Sequence, residues 1–470
     1  MNYNILDFKT DGKNYLYSGN TGQIAEISQE LKDLLNRDIR NDKIIKIQKT
    51  NPVIFSPSPV RIIKFGYSKD FIKEQIEHGL KQMTLGVTNQ CNLRCKYCVY
   101  SGNFKNFRTH SNKCMSLEIA VKSIDFFLKH ISKTENYKFL TFYGGEPLLN
   151  FDLISQVINY VKSKSNANIY YSITTNGTLL DEEKINFLSK NKIFLMISLD
   201  GDKTVHDKNR VSFFGEPTFD IIMHNLEKIK EIDANYYKYY LIFSTTLTES
   251  CDYQQLDLFF SRLKKSCKVS GVLAYGSKNI RSLDKHSKNR KYIVDRFIEG
   301  CLRHRYDRID DYDGYIFPLN VVGTIIKLIH KRRVSNNFLL EKNYLFKNHC
   351  IPGATKIFVS PEGNFFPCEK LDAHNHLMIG NINEGIKLKN IENMLNKFMS
   401  IKNKYCTNCP FLDICNLCLQ SASDGEKFDT KKFELFCYYA KHDIENGLKI
   451  YSRILEKDEN ALNFLLLNQD

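Results

Sequence analysis

From residue 83 onward the apolar positions follow two alternating rhythms. Short apolar runs at 83–88, 139–143, 169–174, 194–199, 241–247 and 271–275 are rich in β-branched and aromatic residues, which predicts strands. Between them apolar residues recur every three or four positions. One set is Leu117, Ala120, Val121, Ile124, Leu128 and Ile131; another is Ile154, Val157, Ile158 and Val161. Ile222, Leu226 and Ile229, then Leu256, Phe259, Phe260 and Leu263, repeat the spacing. These stripes are core-facing helix faces. Strand and helix in strict succession predict an α/β fold with a parallel sheet. Ahead of it, residues 1–50 form a separate small module. Strands at 3–8 and 15–18 join through Asp11-Gly12, a hairpin signal. Asn20-Thr21-Gly22 turns the chain into a third run at 23–27, and Ser28 caps a helix that lines up Leu31, Leu34 and Leu35. Pro52, Pro57 and Pro59 mark residues 51–80 as a linker.

Composition narrows the class. The 470 residues suffice for two or three domains, and 42% hydrophobic content with mixed charge describes a globular chain. The net charge of +14 is dispersed, with Lys interleaved among Glu and Asp. No block of like charge is long enough for a nucleic-acid arm, so no nucleic-acid partner is expected. No secretory leader opens the chain and no apolar run nears membrane-spanning length, so a cytoplasmic protein without a membrane partner is expected. Fourteen cysteines in such a chain point to metal, not to disulfides.

The cysteines are organised. Cys91-x3-Cys95-x2-Cys98 follows the first predicted strand directly. A tight loop there can aim three thiolates at one iron–sulfur cluster and leave one iron without a protein ligand. A zinc site needs a fourth Cys or His nearby, and none follows before His110. Gly144-Gly145-Glu146-Pro147 follows the second strand, Thr174-Thr175-Asn176-Gly177 ends the third, and Ser198-Leu199-Asp200-Gly201 ends the fourth, with His206 and Arg210 beyond. The spacing, down to the aromatic Tyr97 before the third cysteine, resembles that of radical S-adenosylmethionine (SAM) enzymes. The resemblance implies a partial (β/α)6 barrel over 81–280 and SAM bound at its strand C-termini. Gly144, Gly145, Glu146 and Pro147 would approach the methionine amino group, Thr175 and Asn176 a ribose. Ser198 would bond SAM and Arg210 its carboxylate, although a structural salt bridge explains Arg210 nearly as well. Asp200 would serve nucleotide, substrate or turn, and His206 reads as a satisfied loop histidine.

Residues 281–345 carry no interpretable motif and bridge to a second cysteine field. Cys350, Cys368, Cys406-x2-Cys409-x5-Cys415-x2-Cys418 and Cys437 resemble the SPASM extension of radical SAM enzymes, placed at 346–440 with a C-terminal helix or tail at 441–470. A pair of structural zinc sites is the alternative that CxxC knuckles allow. The resemblance implies two auxiliary [4Fe-4S] clusters, three in all with that of Cys91, Cys95 and Cys98. Cys406, Cys409, Cys415 and Cys437 would hold the distal one; Cys350, Cys368 and Cys418 the proximal one. Seven thiols leave the proximal cluster with an open iron, or with His349 or a distant residue as fourth ligand. Cys114, Cys251, Cys267 and Cys301 read as isolated buried thiols.

The whole resembles a SPASM-type peptide maturase of the oxidoreductase kind. The N-terminal module is similar to winged-helix-like leader-peptide recognition elements, with an extension that merely packs on the barrel as the alternative. The resemblance implies a ribosomally made, Cys-containing precursor peptide as substrate, a ferredoxin- or flavodoxin-type reductant, and thioether crosslinking through a 5′-deoxyadenosyl radical. Glu369, beside Cys368, is the candidate proton acceptor. A sulfatase-type formylglycine maturase, or another peptide-modifying radical SAM chemistry such as C–C bond formation or epimerisation, is the first rival; a non-catalytic iron–sulfur or leader-binding protein is the rival from another class.

Overall fold

The computed structural model describes residues 4–37, 46–47, 49–56, 60, 62–103, 106–133, 137–248, 251–263, 267–271, 287–306, 315–335, 341–346, 350–372 and 374–467. At the front, β1 (Ile5–Lys9), β2 (Asn14–Ser18) and β3 (Ile24–Ile27) form an antiparallel sheet with β2 in the middle, followed by a helix over Gln29–Arg37. This sheet packs against the C-terminal part of the chain. Tyr17 stacks on Phe411 at 6.2 Å, and the Thr10 and Tyr15 hydroxyls both donate to Glu456. Arg332 donates to the Asn20 carbonyl while its Nε lies 2.6 Å from Asp413. The module is therefore docked on the C-terminal helices and the second cysteine loop.

The expected linker is also more than a linker. It holds β4 (Ile62–Phe65) and a helix over Lys69–His78 whose first turn is capped by Ser68, its hydroxyl accepting from Phe71 N. Pro57 and Pro59 lie outside the described residues.

The strands β5 (Gln82–Thr88), β6 (Lys138–Gly144), β7 (Ile169–Thr175), β8 (Phe194–Ser198), β9 (Leu241–Leu247) and β10 (Cys267–Gly271) are parallel and neighbour one another in sequence order. Intervening helices such as Leu117–His130 and Phe151–Lys164 carry the crossovers. The sixth strand lies four residues earlier than its apolar run predicted, and residues 272–275 are outside the described part.

Alternation sorts the barrel strands into two faces. Ile169, Tyr171, Ile173 and Thr175 of β7 are buried, as are Leu241, Phe243, Thr245 and Leu247 of β9. The other face lines the barrel interior. Its lower layer is aromatic: Phe139, Tyr170 and Phe194 stack within 5.5–6.3 Å of one another. Its upper layer, at the strand C-termini, is hydroxyl-rich, with Tyr143, Thr174, Ser198 and Thr246 in the last two positions of their strands. A plugged bottom and a polar mouth direct chemistry to the C-terminal side.

The sheet continues past β5. Beyond β11 (Asn343–Phe346), which pairs in parallel with β4, the strand β12 (Lys356–Val359) joins β5 in parallel, Lys356 opposite Gln82 and Val359 opposite Leu85. β13 (Asn364–Phe366), β14 (Gly380–Asn381) and β15 (Gly385–Ile386) follow as antiparallel hairpins. The barrel and the Cys-rich extension thus share one ten-stranded sheet. Helices over Ser287–Leu302, Ile316–Val334 and Thr430–Leu455 pack together behind it. The last of these runs unbroken through residue 440, so the expected boundary there falls inside a helix. Among the described residues no helix is long and apolar enough to cross a membrane.

Gly19 marks how closely the front sheet docks: a Cβ there would lie 2.5 Å from Pro410 Cα and 2.5 Å from its carbonyl oxygen. Backbone cannot yield as a side chain can, and overpacking of this kind costs about 1–3 kcal/mol. Gly19→Val is expected to lower the urea midpoint accordingly. Limited proteolysis should then cut the front sheet well before the barrel, whereas simultaneous loss of both would refute a separately docked module.

Candidate active site

Cys91, Cys95 and Cys98 leave the top of β5 in a loop that hangs between two clamps. On one side Gly145 N donates to Thr88 O at 2.8 Å and Glu146 N to Gln90 O at 2.7 Å. On the other, Arg94 N reaches Val211 O, Lys96 N reaches Asn209 O, and Phe213 N reaches Asn92 O, at 2.8, 2.9 and 3.0 Å. All three thiols are half-buried. Burial pushes Cys91 up to about 12 and raises Cys95 and Cys98, and the Cys91 and Cys95 thiols are raised further by their cysteine neighbours in the loop. Arg210 opposes this for Cys95, its Nη1 lying 3.8 Å from the sulfur. His110 Nε2 lies 3.9 Å from Cys98 Sγ. Three crowded, largely desolvated thiols with arginines nearby fit an iron–sulfur cluster as their bound group.

The neighbouring motifs hold this loop in shape. A Cβ on Gly144 would lie 2.2 Å from Thr88 O, and one on Gly145 would lie 2.0 Å from Gln90 O. The glycines are thus demanded by the cluster loop's own backbone, a reason the sequence reading did not supply. Glu146 is fully engaged. Its carboxylate accepts from Leu148 N, Thr175 Oγ1 and Asn176 N at 3.0, 2.6 and 2.7 Å, tying the β6 turn to the end of β7. Burial pushes its pKa up to about 7 against those three donors. Pro147 opens the short 3-10 turn that follows. Asn176 Nδ2 donates to Asn92, bringing the end of β7 onto the cysteine loop.

Asp200 and Arg210 form a buried ion pair, Nε to Oδ2 3.1 Å. Tyr97, the aromatic before the third cysteine, donates to the same Asp200 oxygen at 2.5 Å, and Thr246 N donates to the other. Arg210 thus takes part in a buried ion pair with Asp200, and the Tyr97 link is one the sequence did not reveal. His206 is buried and satisfied, its ring nitrogens meeting Thr218 Oγ1 and Asp200 N at 3.1 and 3.4 Å. Burial pushes it down to about 4. Ser198 ends β8 at the barrel mouth, half-buried.

The C-terminal thiols separate into two groups. Cys406, Cys409, Cys415 and Cys437 line one narrow cavity with Lys402 and Lys441. Burial is the main cause of the raised pKa of Cys406, Cys409 and Cys437, with mutual repulsion inside this set added to it. Cys418, three positions after Cys415, faces elsewhere and raises Cys350 and Cys368. Cys368 is pushed up to about 12, chiefly by burial, while Cys350 is exposed. His349 lies outside the described residues. Among those residues no three His, Cys, Asp or Glu side chains converge tightly enough to hold a single metal ion. Four thiols around one cavity, Cys406 and Cys409 buried and Cys415 and Cys437 half-buried, fit a polynuclear cluster. Of the other cysteines, Cys251 and Cys301 are buried as expected, but Cys114 is exposed, 3.2 Å from Thr88 Oγ1. The Cys267 side chain is not described.

Between the two cysteine fields stands a charged wall. Tyr143, at the top of β6, is raised by burial first, then by the charges of Glu369 and Asp372, with Cys98 adding to the same effect. Glu369 has its carboxylate 2.7 Å from Lys356 Nζ. Burial pushes Glu369 up, but Lys356 outweighs it and the carboxyl stays below its ordinary value. Behind it Asp372 accepts from Tyr100 and pairs with Arg108, whose guanidinium lies 3.5 Å over the Tyr100 ring.

Residues 85–249 match the Radical SAM superfamily. TigE, a radical SAM cyclopropyl synthase of Paramaledivibacter caminithermalis, is 24% identical over 404 residues, covering 83% of this chain and 77% of that protein. A cysteine-type anaerobic sulfatase-maturating enzyme of Clostridium novyi is 32% identical over 161 residues, which span 34% of this chain and 42% of that enzyme. Among solved structures, native anSMEcpe with bound AdoMet and Cp18Cys peptide has the same fold, with a TM-score of 0.57 at 19% identity over 81% of this chain and 99% of that one.

The 2.0 Å approach at Gly145 yields a direct test. Gly145→Ala must displace Gln90 and, one residue on, Cys91. A strain of about 1–3 kcal/mol at that point, relieved by shifting the cysteine loop, corresponds to roughly five- to 150-fold weaker affinity for SAM. Equilibrium binding of SAM to the anaerobically reconstituted protein should show it. Unaltered binding would mean the clamp does not shape the site.

Proposed function

This chain belongs to the radical SAM superfamily through its barrel, and from that premise we propose that it forms thioether crosslinks in a ribosomally made, Cys-containing peptide. The observation that carries the reading is the wall just described. Tyr143 lies near enough to Cys98 of the first loop and to Glu369 beside Cys368 for both to act on it, and Cys418 acts in turn on Cys368. Bound to its iron–sulfur cluster, SAM supplies hydrogen-atom abstraction by an adenosyl radical, chemistry that is the cofactor's own.

The residues of this chain do the rest. Cys91, Cys95 and Cys98 hold the cluster; Gly144, Gly145, Glu146, Pro147, Thr175 and Asn176 fix its loop. Tyr97, Asp200 and Arg210 close the far side. The hydroxyls of Thr174, Ser198 and Thr246 offer donors at the mouth, and the aromatic plug beneath them keeps water from entering through the barrel floor. Glu369, ionised beside Lys356, accepts the proton of the peptide thiol. The balance is a C–H and an S–H bond lost and a C–S bond gained. The peptide would give up one hydrogen atom from carbon and one proton from sulfur, the proton to Glu369, and an iron–sulfur group held by the C-terminal cysteines would serve as the acceptor of the remaining electron. A group of three thiols, not four, supports a position left for the substrate's sulfur. β1 and β3, the outer strands of the front sheet, leave main-chain edges to which a leader peptide can add. A ferredoxin- or flavodoxin-type protein would supply electrons.

The relatives favour a second reading. An enzyme of the sulfatase-maturating kind would oxidise a peptide cysteine to formylglycine, and the C. novyi enzyme, at 32% over 161 residues, has the highest identity of the relatives described above. Both readings need release of 5′-deoxyadenosine from SAM on reduction, and its absence would leave only a non-catalytic protein. The products differ. A thioether removes two hydrogens per crosslink, keeps the sulfur and consumes a free thiol, whereas formylglycine exchanges sulfur for oxygen. Mass spectrometry of a Cys-containing peptide after incubation with reconstituted enzyme, SAM and dithionite is expected to show the first, and loss of sulfur would overturn it. Glu369→Gln is expected to lower crosslinking by about 10²–10⁴-fold, the usual yield of a positioned base, while 5′-deoxyadenosine is still released. Full crosslinking by that variant would remove Glu369 from the mechanism.

A further inference from the structure

The helix over Leu388–Cys406 carries a charge with no conventional partner. Lys402, one turn before Cys406, is fully buried, and its Nζ has no hydrogen-bond partner among the described residues. It is surrounded by three aromatic rings, with Phe346, Phe398 and Phe433 centroids 4.6, 5.4 and 5.6 Å from the nitrogen. A buried ammonium without a partner is costly, and ring faces offset only part of that cost. Methionine or leucine would fill the same space without it, so packing gives no reason for the charge.

The fourth side of Lys402 supplies one. It opens on the cavity that Cys406, Cys409, Cys415 and Cys437 line. The cation lowers the pKa of Cys406 and of Cys437, against the burial that raises both. Other charges near these thiols are weaker claimants. Lys441 also lines the cavity but is partly open to solvent, and Glu434, which acts on Cys437, is exposed and bonded to Tyr405. Solvent screens both.

We propose that Lys402 is the internal counter-charge of a one-electron centre held by Cys406, Cys409, Cys415 and Cys437, and that it raises the potential of that centre. The proposal rests on the reading that these four thiolates hold a [4Fe-4S] cluster. Four thiolates around such a core form a dianion that becomes a trianion on accepting one electron. A fixed cation in a water-excluded pocket stabilises the trianion more than the dianion. The electron comes from the reductant, and no proton moves. Lys402 thereby sets how readily the distal centre accepts electrons, acting as a positioning residue that need not touch substrate.

The test is a redox titration with dithionite, followed by electron paramagnetic resonance, on the anaerobically reconstituted full chain. Cys406→Ser identifies the signal of the distal centre. Lys402→Met is expected to leave iron per chain unchanged and to make that centre about tenfold harder to reduce, about 59 mV for a one-electron couple. Lys402→Arg, which keeps the charge, is expected to stay within about threefold of the unaltered protein, about half that shift. A Lys402→Met protein with full iron and an unmoved potential would overturn the proposal, because a packing role moves no potential. Equal iron content in Cys406→Ser and the unaltered protein would instead overturn the cluster reading beneath it. Should Lys402→Met fail to load iron, Lys402→Gln carries the same comparison.

Discussion

The pairing of β12 with β5 is the constraint on which the rest of the molecule depends. β5 ends in the loop of Cys91, Cys95 and Cys98; the hairpin that begins with β12 ends in Cys368 and Glu369. A parallel ladder fixes its register rigidly, since a slip of one residue would turn every side chain to the opposite face. The distance between the two cysteine fields is therefore set by backbone hydrogen bonds, not by a flexible domain contact. The ladder is close-packed: a Cβ on Gly86 of β5 would lie 2.6 Å from the Phe358 ring of β12. Lys356, the first residue of β12, points its ammonium at Glu369, so the same strand that sets the spacing also sets the charge state of the wall.

Around that frame buried charges are arranged in compensated sets. Asp200 is met by Arg210, Tyr97 and Thr246 N, and Asp372 by Arg108 and Tyr100. Such sets contribute little net stability when complete, yet removing one member leaves a charge stranded at about 3–5 kcal/mol. They act as locks that permit one arrangement of the loop between them. Each joins segments distant in sequence: Tyr97 to the end of β8, Arg108 to the Cys-rich extension.

Five of the six barrel strands were legible to within a residue or two because each alternates between a helix-facing and an interior face, and that alternation is local. The cysteine spacings were equally local. What the sequence hid was pairing at a distance. β12 is four residues long, Lys-Ile-Phe-Val, with nothing to show that it would add to a strand 274 positions earlier. The glycines of 144–145 were readable as needing space, but which backbone would occupy that space was not. Residues 62–65 looked like part of a linker because β4 pairs among the described residues only with β11, and is otherwise completed by the Asn403 side chain, which bonds both the N–H and the carbonyl of Ile63. The front sheet's docking on Pro410 and Phe411 was invisible for the same reason.

Cys415 and Cys418 show how far local spacing carries an argument. Two intervening residues, Asn416 and Leu417, send the first thiol into the cavity beneath Lys402 and the second toward Cys350 and Cys368. A loop that turned once more would give both thiols to the same group, as a zinc knuckle requires. The turn that separates them makes this short segment the covalent link between the distal cavity and the barrel mouth. Pro410 and Phe411, five residues upstream, are where the front sheet rests. The N-terminal module, the distal thiols and the barrel mouth therefore meet on a single loop.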